Sequence, residues 1–250
     1  MTLLSEPRES GPGTSPASAP PILELRRIVA AYGKVEVLHG VDLAVPAGAV
    51  TAVLGPNGAG KSTALRVIAG LHPPVSGDVV MAGRRVTGAA PDALARRGVC
   101  LIPEGKGVFP NLTVEENLWM ATHAGVRRAD VQERAFTRFP QLAERRRQPA
   151  GTLSGGEQQM LAMARALATD PALLLLDELS LGLAPIVVEH LYEMVRGIAA
   201  AGVSILVVEQ FAQTALDVAH LAAVMVNGRV TAVGVPADIR DRLSDAYFGR

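Results

Sequence analysis

Three short segments carry residue types whose spacing suits phosphate chemistry. The first is GPNGAGKST, comprising Gly55, Pro56, Asn57, Gly58, Ala59, Gly60, Lys61, Ser62 and Thr63. It fits G-x-x-x-x-G-K-[ST] and lies between an apolar run and a helical pattern, as that motif requires. Its glycines can take backbone angles closed to larger residues, so successive N–H groups can point into one concavity. The helix that follows adds its free N–H groups and positive end. Lys61 would reach the β- and γ-phosphates of a nucleoside triphosphate, and the Ser62 hydroxyl would ligate Mg²⁺. Only 3 of the 24 basic residues are lysine, which makes a chance lysine at this point improbable.

The second segment, LLLLDE, delivers Asp177 and Glu178 to the end of a buried strand, where ligands sit in open α/β sheets. Asp177 would hold the Mg²⁺, and Glu178 would orient and polarise the attacking water. The third, LSGGEQQ, opens a helix with Ser154 as N-cap and Glu157 in the capping-box position. Gly155 and Gly156 are not needed for a cap and weaken a helix; close approach of a phosphate to the backbone would account for them. One chain would then own two phosphate-binding helix starts, although one nucleotide needs one. A two-fold pair in which each ATP lies between Lys61 of one subunit and Ser154 of the other resolves the excess.

Continuous apolar runs at AVTAVL, GVCLIP, ALLLLD and VSILVV read as strands covered on both faces. Helices are expected over 113–123, 154–169 and 185–201, the last ended by Gly202. Strand–helix alternation indicates an α/β fold with a mostly parallel sheet. ILELRRIVAAY and VEVLHGVDLAV, separated by Gly33-Lys34, read as an N-terminal strand pair. AVMV-NG-RVTAV reads as a type I′ hairpin, and PADIRDRLSDAYF as a final amphipathic stretch. Between about residues 108 and 151 strand runs give way to an Arg-rich helical pattern, as for a small inserted helical subdomain. Residues 1–21 hold five Pro, four Ser and two Gly and are expected to form a disordered tail.

Composition closes off other classes. With 24 basic and 24 acidic residues the formal charge is zero, which argues against nucleic acid held by bulk electrostatics. Cys100 is the single cysteine, so a disulfide framework is excluded and a buried, inert thiol is expected. The longest uncharged stretch, Leu43 to Gly60, is broken by proline and glycine and cannot span a membrane. The N-terminus lacks a basic start and apolar middle, so the protein is expected to stay in the cytoplasm.

The three motifs, in this order, resemble the nucleotide-binding subunit of an ABC transporter, and the resemblance runs over nearly the whole chain from Ile22. It implies a P-loop NTPase fold, stacking of Tyr32 on adenine, and a loop from Ser180 to Ala184 that crosses the dimer interface. It also implies contact of the helical region with a membrane-spanning permease subunit. IPEGKGVFPNLTVEENL, GTLSGGEQQMLAMARAL, LGLAP and VVEQ are similar to the smaller ATPase subunit of branched-chain (hydrophobic) amino-acid importers. That likeness implies a peripheral place on the cytoplasmic face of the membrane, a second ATPase subunit, identical or related, and indirectly a substrate-binding protein.

Some positions depart from most ABC ATPases. Glu104 stands where Gln is usual and could ligate Mg²⁺ or water as an anion. Gln210 stands where His is usual; it can hydrogen-bond the γ-phosphate but cannot become a cation. Leu179 replaces a proline, which restores an N–H and suggests a looser loop after Glu178. Ala184 replaces an aspartate common in other branches. Leu179 and Gln210 together motivate an alternative, an ATP-dependent regulatory switch with little hydrolysis. A DNA-repair-type ATPase would carry long coiled coils, and no sustained heptad run exists here.

Overall fold

The computed structural model describes residues 21–240 apart from 106 and 211. The expected tail thus lies outside the described residues except for Pro21, as does the final amphipathic stretch beyond 240. The described residues form two sheets. One is antiparallel, with β1 (Pro21–Tyr32), β2 (Val35–Pro46), β4 (Ser76–Met81) and β5 (Arg84–Arg85) in the order β2-β1-β4-β5. The other runs β10-β9-β3-β8-β7-β6, using β3 (Val50–Leu54), β6 (Val99–Ile102), β7 (Leu173–Asp177), β8 (Ser204–Glu209), β9 (Leu221–Val226) and β10 (Arg229–Gly234). Its strands pair in parallel except for the β9–β10 hairpin.

Three of the four apolar runs follow directly from burial on both faces; the fourth forms the edge strand β6, where Cys100 and Leu101 are only partly buried rather than fully covered as expected. Every residue of β3, β7 and β8 is buried. Side chains alternate across the sheet: Leu174 and Leu176 join the core under the helices, while Leu173 and Leu175 join the core facing the antiparallel sheet. The helical core is completed by α6 (Gly155–Leu167), α7 (Pro185–Ala200) and α8 (Ala212–Val218), the opposite one by α1 (Lys61–Ile68). A short α2 (Pro91–Ala95) precedes β6.

Between β6 and α6 the described residues form no strand. They form α3 (Val114–Trp119), a 3₁₀ turn at Met120–Ala124, α4 (Arg128–Arg138) and α5 (Pro140–Glu144). The segment leaves and returns through one seam, where Thr113 bridges Pro149 and Ala150 N–H donates to Leu112 O at 2.8 Å. Asn117, wholly buried, organises the entry: its amide donates to the carbonyls of Phe109, Leu112 and Thr113 and accepts from Phe109 N–H. Both expected capping boxes form, Thr113 with Glu116 and Ser154 with Glu157.

The Asn227-Gly228 turn has φ of 46° and 72°, as a type I′ turn demands. It does more than reverse the chain. Gly228 N–H donates to Ala59 O and Gly228 O accepts from His39 N–H, each at 2.9 Å, so the hairpin braces the phosphate loop against β2. A Cβ on Gly55 would stand 2.0 Å from Met225 O, so this loop position admits only glycine.

Candidate nucleotide site

β3 ends at Leu54, and the loop from Gly55 to Gly60 carries the chain into α1. Gly58 and Gly60 have φ of 79° and 100°, left-handed values that a side chain would resist. Helix α1 opens without a side-chain cap and with no acidic residue in its first turn. Its first amides and positive end are thereby left for an anion. Asn57, Gly58, Ala59, Gly60, Lys61, Ser62, Thr63 and Val37 line a cleft of about 310 Å³ together with Glu104 and Glu178.

Lys61 is buried, and its ammonium donates to Gly55 O at 2.9 Å and Pro56 O at 3.2 Å, with Glu178 Oε1 at 3.6 Å. Ser62 Oγ donates to Asp177 Oδ1 at 2.9 Å. Burial pushes the Asp177 carboxyl above its ordinary value; the Ser62 bond opposes this, and the charges of Glu178 and Glu104 add to it. The structure therefore brings together Lys61, Ser62, Asp177, Glu178 and Glu104 from three separate stretches of sequence.

Among the described residues no cluster of three His, Cys, Asp or Glu is placed to hold a metal ion. A hydroxyl with one or two carboxylates is instead the donor set by which Mg²⁺ is usually held beside substrate phosphates. Because Asp177 is held above its unfolded value, its ionised form costs stability above the folded pKa, and that cost vanishes in acid. Asp177→Asn is therefore expected to raise the thermal midpoint of the nucleotide-free protein at neutral pH. The gain should shrink as pH falls; melting curves showing a gain that grows toward acid would contradict this.

Other expected site residues are not part of the cleft lining itself. Gln210 follows β8, half-buried, and does not line the cleft. Tyr32 ends β1, 43% exposed and outside the cleft lining. Its ring already stacks on His72, with centroids 4.3 Å apart, and its hydroxyl accepts from Arg66 at 3.2 Å. Ser154, Gly155, Gly156 and Glu157 line no part of the cleft either. At that helix start Ser154 N–H donates to Glu157 Oε2 at 2.8 Å, and Glu157 N–H donates to Ser154 Oγ at 3.3 Å. Arg145 pairs with Glu157 at 3.0 Å.

Close approach of a phosphate is not the only account of the glycine pair, because a Cβ on Gly156 would lie 2.5 Å from Val187 Cγ1 of α7. Gly155 would meet only the end of the flexible Leu183 side chain, at 2.8 Å. Gly156→Ala is thus expected to destabilise the fold by about 1–3 kcal/mol by overpacking, and Gly155→Ala by clearly less, as denaturant titration would measure. The loop after Glu178 is not loosened by Leu179, whose side chain is 1% exposed and part of the main core. The loop is tied down further by Glu178 N–H to Val208 O at 3.0 Å and Leu183 N–H to Ser180 O at 3.2 Å. One of the two grounds for a weakly hydrolysing switch is thereby removed.

Sequence reasoning missed Glu209. At the end of an apolar strand it is 1% exposed, and burial pushes its carboxyl up against three hydrogen bonds that favour the charge. The signal was an acidic residue immediately before Gln210, in a run with no other polar group after Ser204.

The profile of the ABC transporter family matches residues 38–180. The chain is 40% identical, over 91% of its length and all of the relative's, to the high-affinity branched-chain amino acid transport ATP-binding protein BraG of Pseudomonas aeruginosa. It is 38% identical, over 87% of its length and 94% of the relative's, to a probable branched-chain amino acid transport ATP-binding protein LivF of Archaeoglobus fulgidus. Other relatives are named for other cargoes, among them the Fe(3+) ions import protein FbpC of Mesorhizobium japonicum at 36% identity over 91% of this chain and 65% of its own. The ADP conformation of MJ1267, an ATP-binding cassette of an ABC transporter, superposes with a TM-score of 0.83 at 28% identity, covering 91% of this chain and 96% of that one. Fold, nucleotide cleft and relatives agree: the chain belongs to the ABC transporter family, as a nucleotide-binding ATPase subunit coupled to transport.

Proposed function

We propose that the chain drives import of branched-chain or related amino acids by hydrolysing ATP at the cytoplasmic face of the inner membrane. The hydrolytic reading is carried by one observation: Ser62 and Asp177 are joined at 2.9 Å where Glu178 stands 3.6 Å from the Lys61 ammonium. That arrangement supports a reading in which phosphate, metal and base positions lie side by side.

In this reading Lys61 and the amides of Gly58, Gly60 and the first turn of α1 bind the β- and γ-phosphates. Ser62, Asp177 and Glu104 hold Mg²⁺, which when bound neutralises phosphate charge. Glu178 accepts the proton of the attacking water, Gln210 hydrogen-bonds the γ-phosphate, and Tyr32 receives adenine. Ser154, Gly155, Gly156 and Glu157 of a second ATPase subunit, identical or related, close over the γ-phosphate. Closure follows because each ATP makes these contacts only in the closed state.

Residues 108–151 then act as an inserted helical subdomain that transmits closure to permease subunits. Cargo is delivered by a substrate-binding protein that this chain never touches. The names of the two relatives with branched-chain cargo support that part of the reading. The test is vesicle reconstitution with the cognate permease subunits and binding protein. ATP hydrolysis is expected to rise when binding protein loaded with leucine, isoleucine or valine is supplied. Stimulation by an unrelated cargo alone would sink the branched-chain assignment.

A further inference from the structure

Glu209 is buried, acidic and unused by the steps above. It ends β8 in register with Leu54, the residue that leads into the phosphate loop. Its Oε1 accepts from Ser180 N–H at 3.0 Å and from the Tyr192 hydroxyl of α7 at 2.7 Å; its Oε2 accepts from Ser180 Oγ at 2.7 Å. One residue earlier, Val208 O accepts the N–H of Glu178. The turn from Glu178 to Ser180 is thus pinned to β8 at both ends, and α7 is pinned beside it.

The pinning matters because Glu178 has a φ of 47°, a left-handed conformation costly for a residue with a side chain. Such conformations persist only where the surroundings over-determine them. Here the surroundings are the Val208 carbonyl and the Glu209 carboxylate. An apolar residue at 209 would pack into this core more cheaply than a charge but would release Ser180.

We propose that Glu209 is a positioning residue for hydrolysis: by clamping Ser180 and Tyr192 it holds the Glu178 carboxylate at the cleft. The proposal rests on Glu178 being the base. Misplacement by about 1 Å costs on the order of 100-fold in rate, so Glu209→Ala is expected to lower kcat by about that factor while KM and ATP affinity stay unchanged. Glu209→Gln should keep a wild-type kcat, since its amide oxygen still accepts from Ser180 N–H and Tyr192, and its nitrogen can donate to Ser180 Oγ. Tyr192→Phe, which removes a single hydroxyl, should lower kcat by a smaller factor, and should lower it no further when added to Glu209→Ala.

The experiment is steady-state phosphate release and nucleotide titration on the purified full chain, with thermal midpoints alongside. A wild-type kcat in Glu209→Ala overturns the proposal, and so does a loss in which kcat and ATP affinity fall together. Should Glu209→Ala fail to fold, Ser180→Ala and Tyr192→Phe decide: coupled losses in kcat at constant KM support the clamp, and unchanged kcat in both overturns it. Wild-type turnover in Glu178→Gln would instead break the reading of Glu178 itself, a distinguishable failure.

Discussion

Glu178→Gln protein should bind ATP and hold it, releasing phosphate about 10²–10⁴ times more slowly than wild type, the usual worth of a positioned general base. Glutamine keeps the shape of the side chain but cannot accept a proton at neutral pH. The backbone N–H of residue 178 still donates to Val208 O, and Lys61 keeps its bonds to the Gly55 and Pro56 carbonyls. Ground-state binding is therefore spared while the chemical step is not. A pair of subunits that closes on ATP and reopens on hydrolysis should accumulate closed, visible as a doubling of mass by light scattering with Mg²⁺ and ATP. Turnover at the wild-type rate would remove Glu178 from the mechanism.

Lys61→Ala should lose ATP rather than trap it. The Lys61 side chain is 4% exposed, and its ammonium meets two carbonyls and the Glu178 carboxylate. A phosphate entering the cleft competes for that cation with the Gly55 and Pro56 carbonyls, which carry only partial charge. Removing one partner of a desolvated charge pair costs about 2–5 kcal/mol, so affinity should fall by roughly 30- to 4,000-fold. Lys61→Arg should not restore it, because a planar, forked guanidinium cannot replace a compact ammonium in so tight a nest. Titration with a fluorescent ATP analogue measures both variants; affinity within a factor of about 2 of wild type in Lys61→Ala would contradict the assignment.

What the sequence disclosed were the features whose causes are local. Apolar runs marked β3, β7 and β8 because those strands are buried on both faces. Asn227-Gly228 marked its turn because both positions need positive φ. The two capping boxes announced their helices through residues three apart. The glycine loop and the acidic pair after β7 could be matched to phosphate chemistry for the same reason.

Features made by distant partners stayed hidden. β4 and β5 carry no strand signal of their own, because SGDVVM gains its strand character by pairing with β1, some fifty residues earlier in the chain. Gly156 looked like a phosphate contact because nothing local reveals Val187 above it. Leu179 looked like a source of freedom until its side chain was found in the core. Tyr32 gave no hint of His72, nor Glu209 of Ser180 and Tyr192, because those partners come together only in the folded sheet.

The central claim, that one ATP is shared between facing subunits, is tested most directly by a crystal structure of Glu178→Gln protein grown with Mg²⁺ and ATP. The account predicts a closed pair, with the γ-phosphate against Lys61 of one chain and within hydrogen-bond reach of Ser154 and Gly156 of the other. A triphosphate seated on Lys61 while every Ser154 in the crystal faces solvent would contradict it.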